Sequence, residues 1–586
     1  MTSRSWFAAA FAAVLFSACS RNSALPPSAG AAGTNFQFPP QSATGVPAER
    51  VGSVHFSVAL PLRNEAKLTQ LLEGLQDPSS ATYRKFISHE EFLRQFAPKA
   101  AALGAVSREL TAAGFEVSIT DQAVAATGTQ IQAERYFRTS LRAVRYGSTT
   151  VLTPQTPLAL SRLLVSSGAS VIGLNGIPPM HVFSKVVPLP AGVRPQNIYG
   201  PYGPYYAVDL KQAYAYPSYL DATGAGVTIG IVIDSPVSQS DIDEYFSAEG
   251  SNVAPKIDNV KIDGGGKYGG DGTGEATLDA QQSGGMAPRA NIVVFNIPSL
   301  SDSDVYAAYS AIVKDKSIVV VNSSFGGCEL AFKSGNGLQE LKKFDAVFKQ
   351  GLSEGITWVA ASGDHAADQC GSNDEKGVVW PAVSPYVLGV GGTNLTTSYA
   401  KDNPNSKYVH EDAYADVKPD GGGDYWGSGG GYSVIYARPS YQNGAVSEKE
   451  RGLPDVSVHM GGEGFSSDGQ SCQAQKCNKD DSSDTEYLEG QWTQSIGTSA
   501  ASPDFVGLLA LTAELVKGKL GAVNAELYQA AAKHPNYFFR KGLKGFNGYH
   551  TSTTLWDPVL GLGTPYGARI AGAKSVAGEP TSPSNP

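Results

Sequence analysis

The most restrictive feature of the chain is a pattern repeated through its second half, in which short apolar runs are separated by helical stretches. Residues 227–233, 291–297, 317–321, 356–361 and 386–390 are apolar without alternation, as strands buried on both faces must be. Helical segments at 303–313 and 338–352 lie between them. This alternation specifies an α/β fold, a parallel sheet flanked by helices. Ligands of such sheets gather at the carboxyl ends of the strands, so chemistry is sought in residues that follow strands or open helices there.

One helix opening stands out. The small-residue turn Gly497-Thr498-Ser499-Ala500 runs directly into an apolar helical pattern carrying Phe505, Val506, Leu508, Leu509, Leu511 and Leu515. A serine there has an exposed hydroxyl beside backbone N–H groups that can receive negative charge. Acyl transfer needs both a nucleophile and a place for an oxyanion, although Gly-Thr-Ser-Ala can equally be a plain helix cap. Glu275 and Asp279 are four residues apart, which puts both carboxylates on one helix face. Like charges that close raise one pKa, so such a pair can serve as a base where histidine would be protonated. The bland alternative is a solvated acidic face.

These stretches together resemble the sedolisin (serine-carboxyl peptidase) family, which has a subtilisin-like fold. The matching pieces are Gly-Thr-Ser-Ala-x-x-Pro at Ser499, Glu-x-x-x-Asp at Glu275 and Asp279, and Ala361-Ser362-Gly363-Asp364 between them. The resemblance implies that Ser499 is the nucleophile, Glu275 the base, Asp279 its orienting partner and Asp364 the oxyanion-site acid. A neutral carboxylic acid can donate to an oxyanion whereas an ionised one cannot, so activity is expected in acid. By the same resemblance Ser324-Phe325-Gly326 pairs with substrate as an added strand, and residues 428–433, with Gly429 and Gly430, line the cleft. The competing assignment is a Ser-His-Asp triad through His365, yet no His-Gly-Thr stretch stands where subtilisins place their base.

The family also carries calcium near its carboxyl end. Asp557 matches one ligand, but Lys541 falls where a second ligand aspartate belongs. Calcium wants several negatively charged oxygens, so the site reads as degraded, with no cofactor required and with Lys541 expected to pair with Asp557.

The amino-terminal half reads as an α+β unit of split β-α-β type, preceding the α/β domain. It resembles the activation prodomain of sedolisins, with Tyr83-Arg84-Lys85-Phe86-Ile87-Ser88 as a matching stretch and Ser88 and Glu91 spaced as a capping box. The expected boundaries are a signal peptide at 1–19, a flexible tether at 20–46, the prodomain at 47–184, a linker with an exposed processing site at 185–206, the peptidase domain at 207–576 and a tail at 577–586. The apolar leader ends Leu15-Phe16-Ser17-Ala18-Cys19, which resembles a bacterial lipobox and implies a lipid anchor through Cys19. Of the 5 cysteines, Cys472 with Cys477 and Cys328 with Cys370 are the expected disulfides.

A net charge of −9 argues against a nucleic-acid partner. The expected partners are protein or peptide substrates and the chain's own prodomain as inhibitor. The reading is therefore an exported, acid-acting serine-carboxyl endopeptidase made as a proenzyme. A tripeptidyl peptidase and a catalytically inactive surface binding module are the alternatives.

Overall fold

The computed structural model describes residues 51–578 apart from 147–148, 189–202, 252, 334, 371–376, 401–402, 414, 418–424, 463–470, 474–475 and 479–481. The leader, lipobox and tether, and most of the expected linker, lie outside the described residues.

The amino-terminal domain runs β1 (Val54–Ala59), α1 (Glu65–Gln76), α2 (His89–Gln95), α3 (Ala100–Ala112), β2 (Glu116–Ile119), β3 (Ala123–Gly128), α4 (Gln130–Phe137), β4 (Leu141–Tyr146), β5 (Thr149–Pro154), α5 (Arg162–Ser166) and β6 (Ser170–Ile172). Its sheet has the order β2-β3-β1-β6, the split β-α-β arrangement, around a core that includes Phe56, Val106, Leu110 and Phe137. At the start of α2 the Ser88 hydroxyl accepts from the Glu91 N–H at 3.1 Å. The Glu91 carboxylate turns to Arg94 and Gln95, so the expected capping box is only half formed.

Two short strands follow, β7 (His181–Val182) and β8 (Lys185–Pro188), before α6 (Ala207–Ala213) opens the second domain. That domain continues through β9 (Thr228–Ile233), α7 (Gln239–Glu249), β10 (Lys256–Lys261), α8 (Thr273–Met286), β11 (Asn291–Asn296), α9 (Asp302–Ile312), β12 (Ile318–Ser323), β13 (Phe325–Cys328), α10 (Gly337–Ser353), β14 (Thr357–Ala361), β15 (Val379–Trp380), β16 (Leu388–Ala400) and β17 (Asn403–Ala413). Then come β18 (Ala415–Val417), β19 (Tyr425–Gly427), β20 (Gly431–Ala437), β21 (Glu450–Leu453), β22 (Val456–His459), β23 (Ser471–Gln473), β24 (Lys476–Asn478), β25 (Asp484–Leu488), β26 (Gln491–Ile496) and α11 (Thr498–Val516).

The central sheet has the order β10-β11-β9-β12-β14-β16-β17, with β22 also on β16. All its pairs are parallel except β16 with β17. Strands β9, β12 and β14 are buried along their whole length, which is why their sequences lack alternation.

Helices α8 and α11 pack directly on each other. A Cβ added to Gly507 would come 2.3 Å from the Met286 Cβ, so only glycine permits this spacing. Although α11 is long and apolar enough to cross a membrane, it is largely buried in the core.

The two domains share apolar packing, with Leu68, Leu72 and Phe92 joining the same core as Phe344 and Phe348. Polar contacts reinforce the junction. The Gln122 amide donates to Gln350 Oε1 at 2.7 Å, and the Arg84 guanidinium meets Glu526 at 2.7 Å. Cys328 and Cys370 form a disulfide, with Cα atoms 5.1 Å apart, tying β13 to the loop after β14. Cys472 and Cys477 are backbone partners in the β23–β24 ladder, but their side chains lie outside the described residues.

Candidate active site

Strand β26 delivers the chain to Gly497, whose φ of 131° and crowded surroundings only glycine tolerates. A Cβ there would come 2.1 Å from the Phe183 carbonyl oxygen and 2.6 Å from Asp364 Oδ2, so two oxygens converge on this turn. Ser499 follows in the first turn of α11, fully buried, and its hydroxyl donates to the Ser324 carbonyl at 3.1 Å.

Across from it, α8 presents Glu275 and Asp279, which are 1% and 0% exposed and so are no solvated face. Asp279 Oδ1 accepts from the Ser324 hydroxyl at 2.6 Å. Ser324 accepts in turn from Asn322 at 2.8 Å, and Asn322 from Ser502 at 2.6 Å, a chain that holds Asp279 from behind. Burial, then the charge of Asp279, pushes Glu275 well above the ordinary carboxyl range. The Ser184 and Ser499 hydroxyls are near enough to favour its ionised form, yet neither meets a Glu275 oxygen with hydrogen-bond geometry. Burial also lifts Asp279 to about 8, against the opposing bonds from Ser324 and Asn322.

Asp364 enters from the loop after β14. Its Oδ1 accepts from both the backbone N–H and the hydroxyl of Thr498, each at 2.7 Å, while Oδ2 has no hydrogen-bond partner among the described residues. Burial raises Asp364 to about 8 despite Thr498, so its carboxyl stays neutral and able to donate through much of the acidic and neutral range.

The cleft between these groups is filled by the chain itself. Strand β7 pairs antiparallel with β13, Val182 opposite Phe325 and His181 opposite Gly326. The Phe183 N–H donates to the Ser324 carbonyl at 3.2 Å, and the Ser499 N–H donates to the Phe183 carbonyl at 3.0 Å. The Phe183 ring is buried against Gly326, where an added Cβ would come 2.9 Å from it. Beyond Ser184, β8 pairs with β26, Lys185 opposite Ile496 and Val186 opposite Ser495. The segment thus runs extended past Ser499, with the Phe183 carbonyl between the Ser499 amide and the unpaired oxygen of Asp364.

The sequence-derived site residues divide accordingly. Ser499, Glu275, Asp279 and Asp364 converge on one point, and Phe325 and Gly326 lie along the segment. Ser324 does more than an edge strand requires, because its side chain is turned inward onto Asp279. Gly429 and Gly430 pack closely on neighbouring backbone. Added Cβ atoms there would first meet the backbone carbonyls of Ser362 at 2.0 Å and Pro558 at 1.9 Å, so both wedge beneath the Asp364 loop. The His365 ring faces that of His181, centroids 6.2 Å apart, while Ser499 donates to a carbonyl. The first residues of the expected exposed linker are not exposed chain, since β8 takes them into the cleft as a strand.

The family model described as "Subtilase family" matches residues 224–542, more than half of the chain. The chain belongs to the subtilase family. A second model, "Pro-kumamolisin, activation domain", matches residues 41–174. Sedolisin of Pseudomonas sp. (strain 101) is 29% identical over 547 residues, covering 87% of this chain and 85% of the relative. Xanthomonalisin of Xanthomonas sp. (strain T-22) is 27% identical over 563 residues, with 87% of this chain and 64% of the relative covered. The solved structure of Pseudomonas sedolisin, a serine-carboxyl proteinase in complex with pseudo-iodotyrostatin, superposes with a TM-score of 0.52 at 28% identity, over 64% of this chain and 97% of that one. The protein is a sedolisin-like serine-type peptidase that carries its activation prodomain.

Within this family the calcium question turns on Asp557. Its Oδ1 accepts from the N–H groups of Val559 and Leu560, both at 2.9 Å, and its Oδ2 from Thr553 at 2.7 Å. Calcium takes about six to eight oxygen ligands, and this loop turns backbone donors toward the carboxylate instead. Among the described residues no group of three or more His, Cys, Asp or Glu side chains could hold a metal. Both oxygens of the Asp557 carboxylate are thus taken up by its own loop. Lys541 is not the stand-in expected from the sequence. It lines a cavity of about 590 Å³ with Leu555 and Trp556, and among the described residues no ion pair joins it to Asp557, whose oxygens accept from backbone amides instead.

Proposed function

We propose that the protein is an exported, acid-acting serine-carboxyl endopeptidase that releases itself from its prodomain by cutting the Phe183–Ser184 bond. One observation carries the reading: the Phe183 carbonyl accepts from the Ser499 N–H while Asp364 Oδ2, beside the same turn, has no other partner. That is the arrangement an oxyanion needs.

In this reading Ser499 Oγ attacks the Phe183 carbonyl carbon and Glu275 takes its proton. Asp279, fixed by Ser324, orients Glu275 and disfavours a second charge beside it. The oxyanion receives the Ser499 N–H and the Asp364 proton. As the C–N bond breaks, Glu275 returns the proton to the Ser184 amine, leaving Phe183 as an ester on Ser499. Water, deprotonated by Glu275, then releases it by the reverse roles.

The direction of pH dependence follows. Asp364 must keep its proton and Glu275 must be able to accept one, so rising pH removes the oxyanion donor. Once the segment leaves and water enters, both groups move back toward the ordinary carboxyl range near ~4, which sets the optimum in acid.

Endopeptidase action is favoured over tripeptidyl release by the course of the segment. It continues on both sides of the bond, with the Met180 N–H donating to the Leu300 carbonyl at 2.9 Å on one side and β8 paired with β26 on the other. Export rests on the leader at 1–19, with a lipid anchor through Cys19. The test is acid treatment of the full chain with amino-terminal sequencing of the product. A new terminus at Ser184, absent in Ser499→Ala, supports the reading; a stable uncut chain under all acid conditions would sink it.

A further inference from the structure

The primed half of the cleft has a wall that no catalytic role accounts for. Extended backbone sends successive side chains to opposite sides, and the two residues after Ser184 obey this. Val186 turns to α8, where an added Cβ on Gly274 would come 3.2 Å from its Cγ2. Lys185 turns the other way, and its ammonium lies 5.9 Å from the centroid of the Trp426 ring.

The backbone beside Trp426 is tied to the Asp364 loop. Trp426 sits in β19, and the next residue, Gly427, donates its N–H to the Asp364 carbonyl at 2.8 Å and accepts from the Ala366 N–H at 2.9 Å. The indole is thus mounted on the loop that carries Asp364, and its half-buried face is turned to the second residue beyond the cut.

We infer that Trp426 is a specificity-determining residue that selects lysine or arginine at the second position after the cleaved bond. The proposal rests on the peptidase reading above. Its logic is that of an acid enzyme. A carboxylate that reads a cation at neutral pH is lost to protonation in acid, whereas the quadrupole of an indole does not titrate. Lys185 in the chain's own segment is the template for that substrate feature.

The measurement uses the acid-activated full chain and quenched peptides that share phenylalanine before the cut and differ only in the second residue after it: Lys, Arg, Ala or Glu. The Lys and Arg peptides are expected to exceed the Ala peptide in kcat/KM by about 2- to 30-fold, the range of a cation over tryptophan. Trp426→Ala should bring the Lys-to-Ala ratio close to one, and Trp426→Phe should retain part of it. A flat series in the wild-type enzyme, or a ratio that Trp426→Ala leaves intact, would overturn the proposal while the peptidase reading stands. If no peptide in the series is cleaved in a Ser499-dependent manner, both fall together. In the intact chain, Lys185→Glu should slow the appearance of the Ser184 terminus while Lys185→Arg should not.

Discussion

Asp364 and Asp557 are buried aspartates in neighbouring loops, joined through Gly430, which packs against the Pro558 carbonyl and donates to that of Ala366. Burial raises both carboxyls. Their hydrogen bonds differ. Asp557 spends both oxygens on three backbone N–H groups and holds its own loop shut. Asp364 spends one oxygen on Thr498 and leaves the other bare toward the carbonyl of Phe183. Unpaired buried polar atoms are costly and uncommon. The contrast teaches that one aspartate closes its surroundings while the other keeps hydrogen-bonding capacity unspent, as the proposed oxyanion role requires.

The contrast can be broken most severely at the proposed nucleophile. Ser499→Ala is expected to lower kcat by more than about 10⁴-fold and to leave the Phe183–Ser184 bond intact, read by peptide cleavage and by chain mass after acid treatment. Asp364→Ala should cost about 10²- to 10³-fold in kcat with the fold retained, as removal of one oxyanion donor does. Asp364→Asn sharpens the point, because its amide donates at every pH and should move the alkaline limb of the rate profile upward.

Asp557→Ala, by contrast, should act on stability alone. It leaves three amides without a partner and should lower unfolding stability by about 1–3 kcal/mol in thermal or denaturant melts, with kcat of the folded fraction unchanged. Adding calcium or a chelator should leave the melting temperature of the wild type where it is, since the Asp557 loop is already closed by its own amides.

The comparison also has a readout in the slope of stability with pH. Asp279 and Asp364 have folded values of about 8 against an unfolded value near ~4. Their folded forms bind protons more tightly, so their stabilisation is complete below pH ~4 and is lost as pH rises through ~8, by about 1.4 kcal/mol per pH unit per proton released. Denaturant titration of the Ser499→Ala proenzyme at a series of pH values measures it, and a stability that rose with pH across this range would contradict the buried, protonated state.

The parallel sheet was legible because doubly buried strands announce themselves as unbroken apolar runs, and β9 and β14 fall where the runs at 227–233 and 356–361 lie. The spacing of Glu275 and Asp279 was enough to put them on one face of α8, since an i, i+4 relation is local. What escaped was non-local. Val182, Phe183, Val186 and Val187 suit a strand, but nothing local says what residues 181–188 pair with, because their ladder partners β13 and β26 lie far along the chain. The inward turn of the Ser324 hydroxyl and the wedge of Gly429 and Gly430 depend on neighbours that sequence order does not bring together. Lys541 misled for the opposite reason. Its charge suggested a partner for Asp557, but the short-range amides of residues 553–560 reached the carboxylate first.

Gly507 touches neither substrate nor any group that exchanges a proton, yet the space above it is too thin for one methyl group against Met286. Helix α8 carries Glu275 and α11 carries Ser499, so the gap between the proposed nucleophile and base is a mechanical dimension, set by a residue about two turns from Ser499. Proton transfer fades over fractions of an ångström, and the tolerance of the active site is therefore written in the thickness of a helix contact.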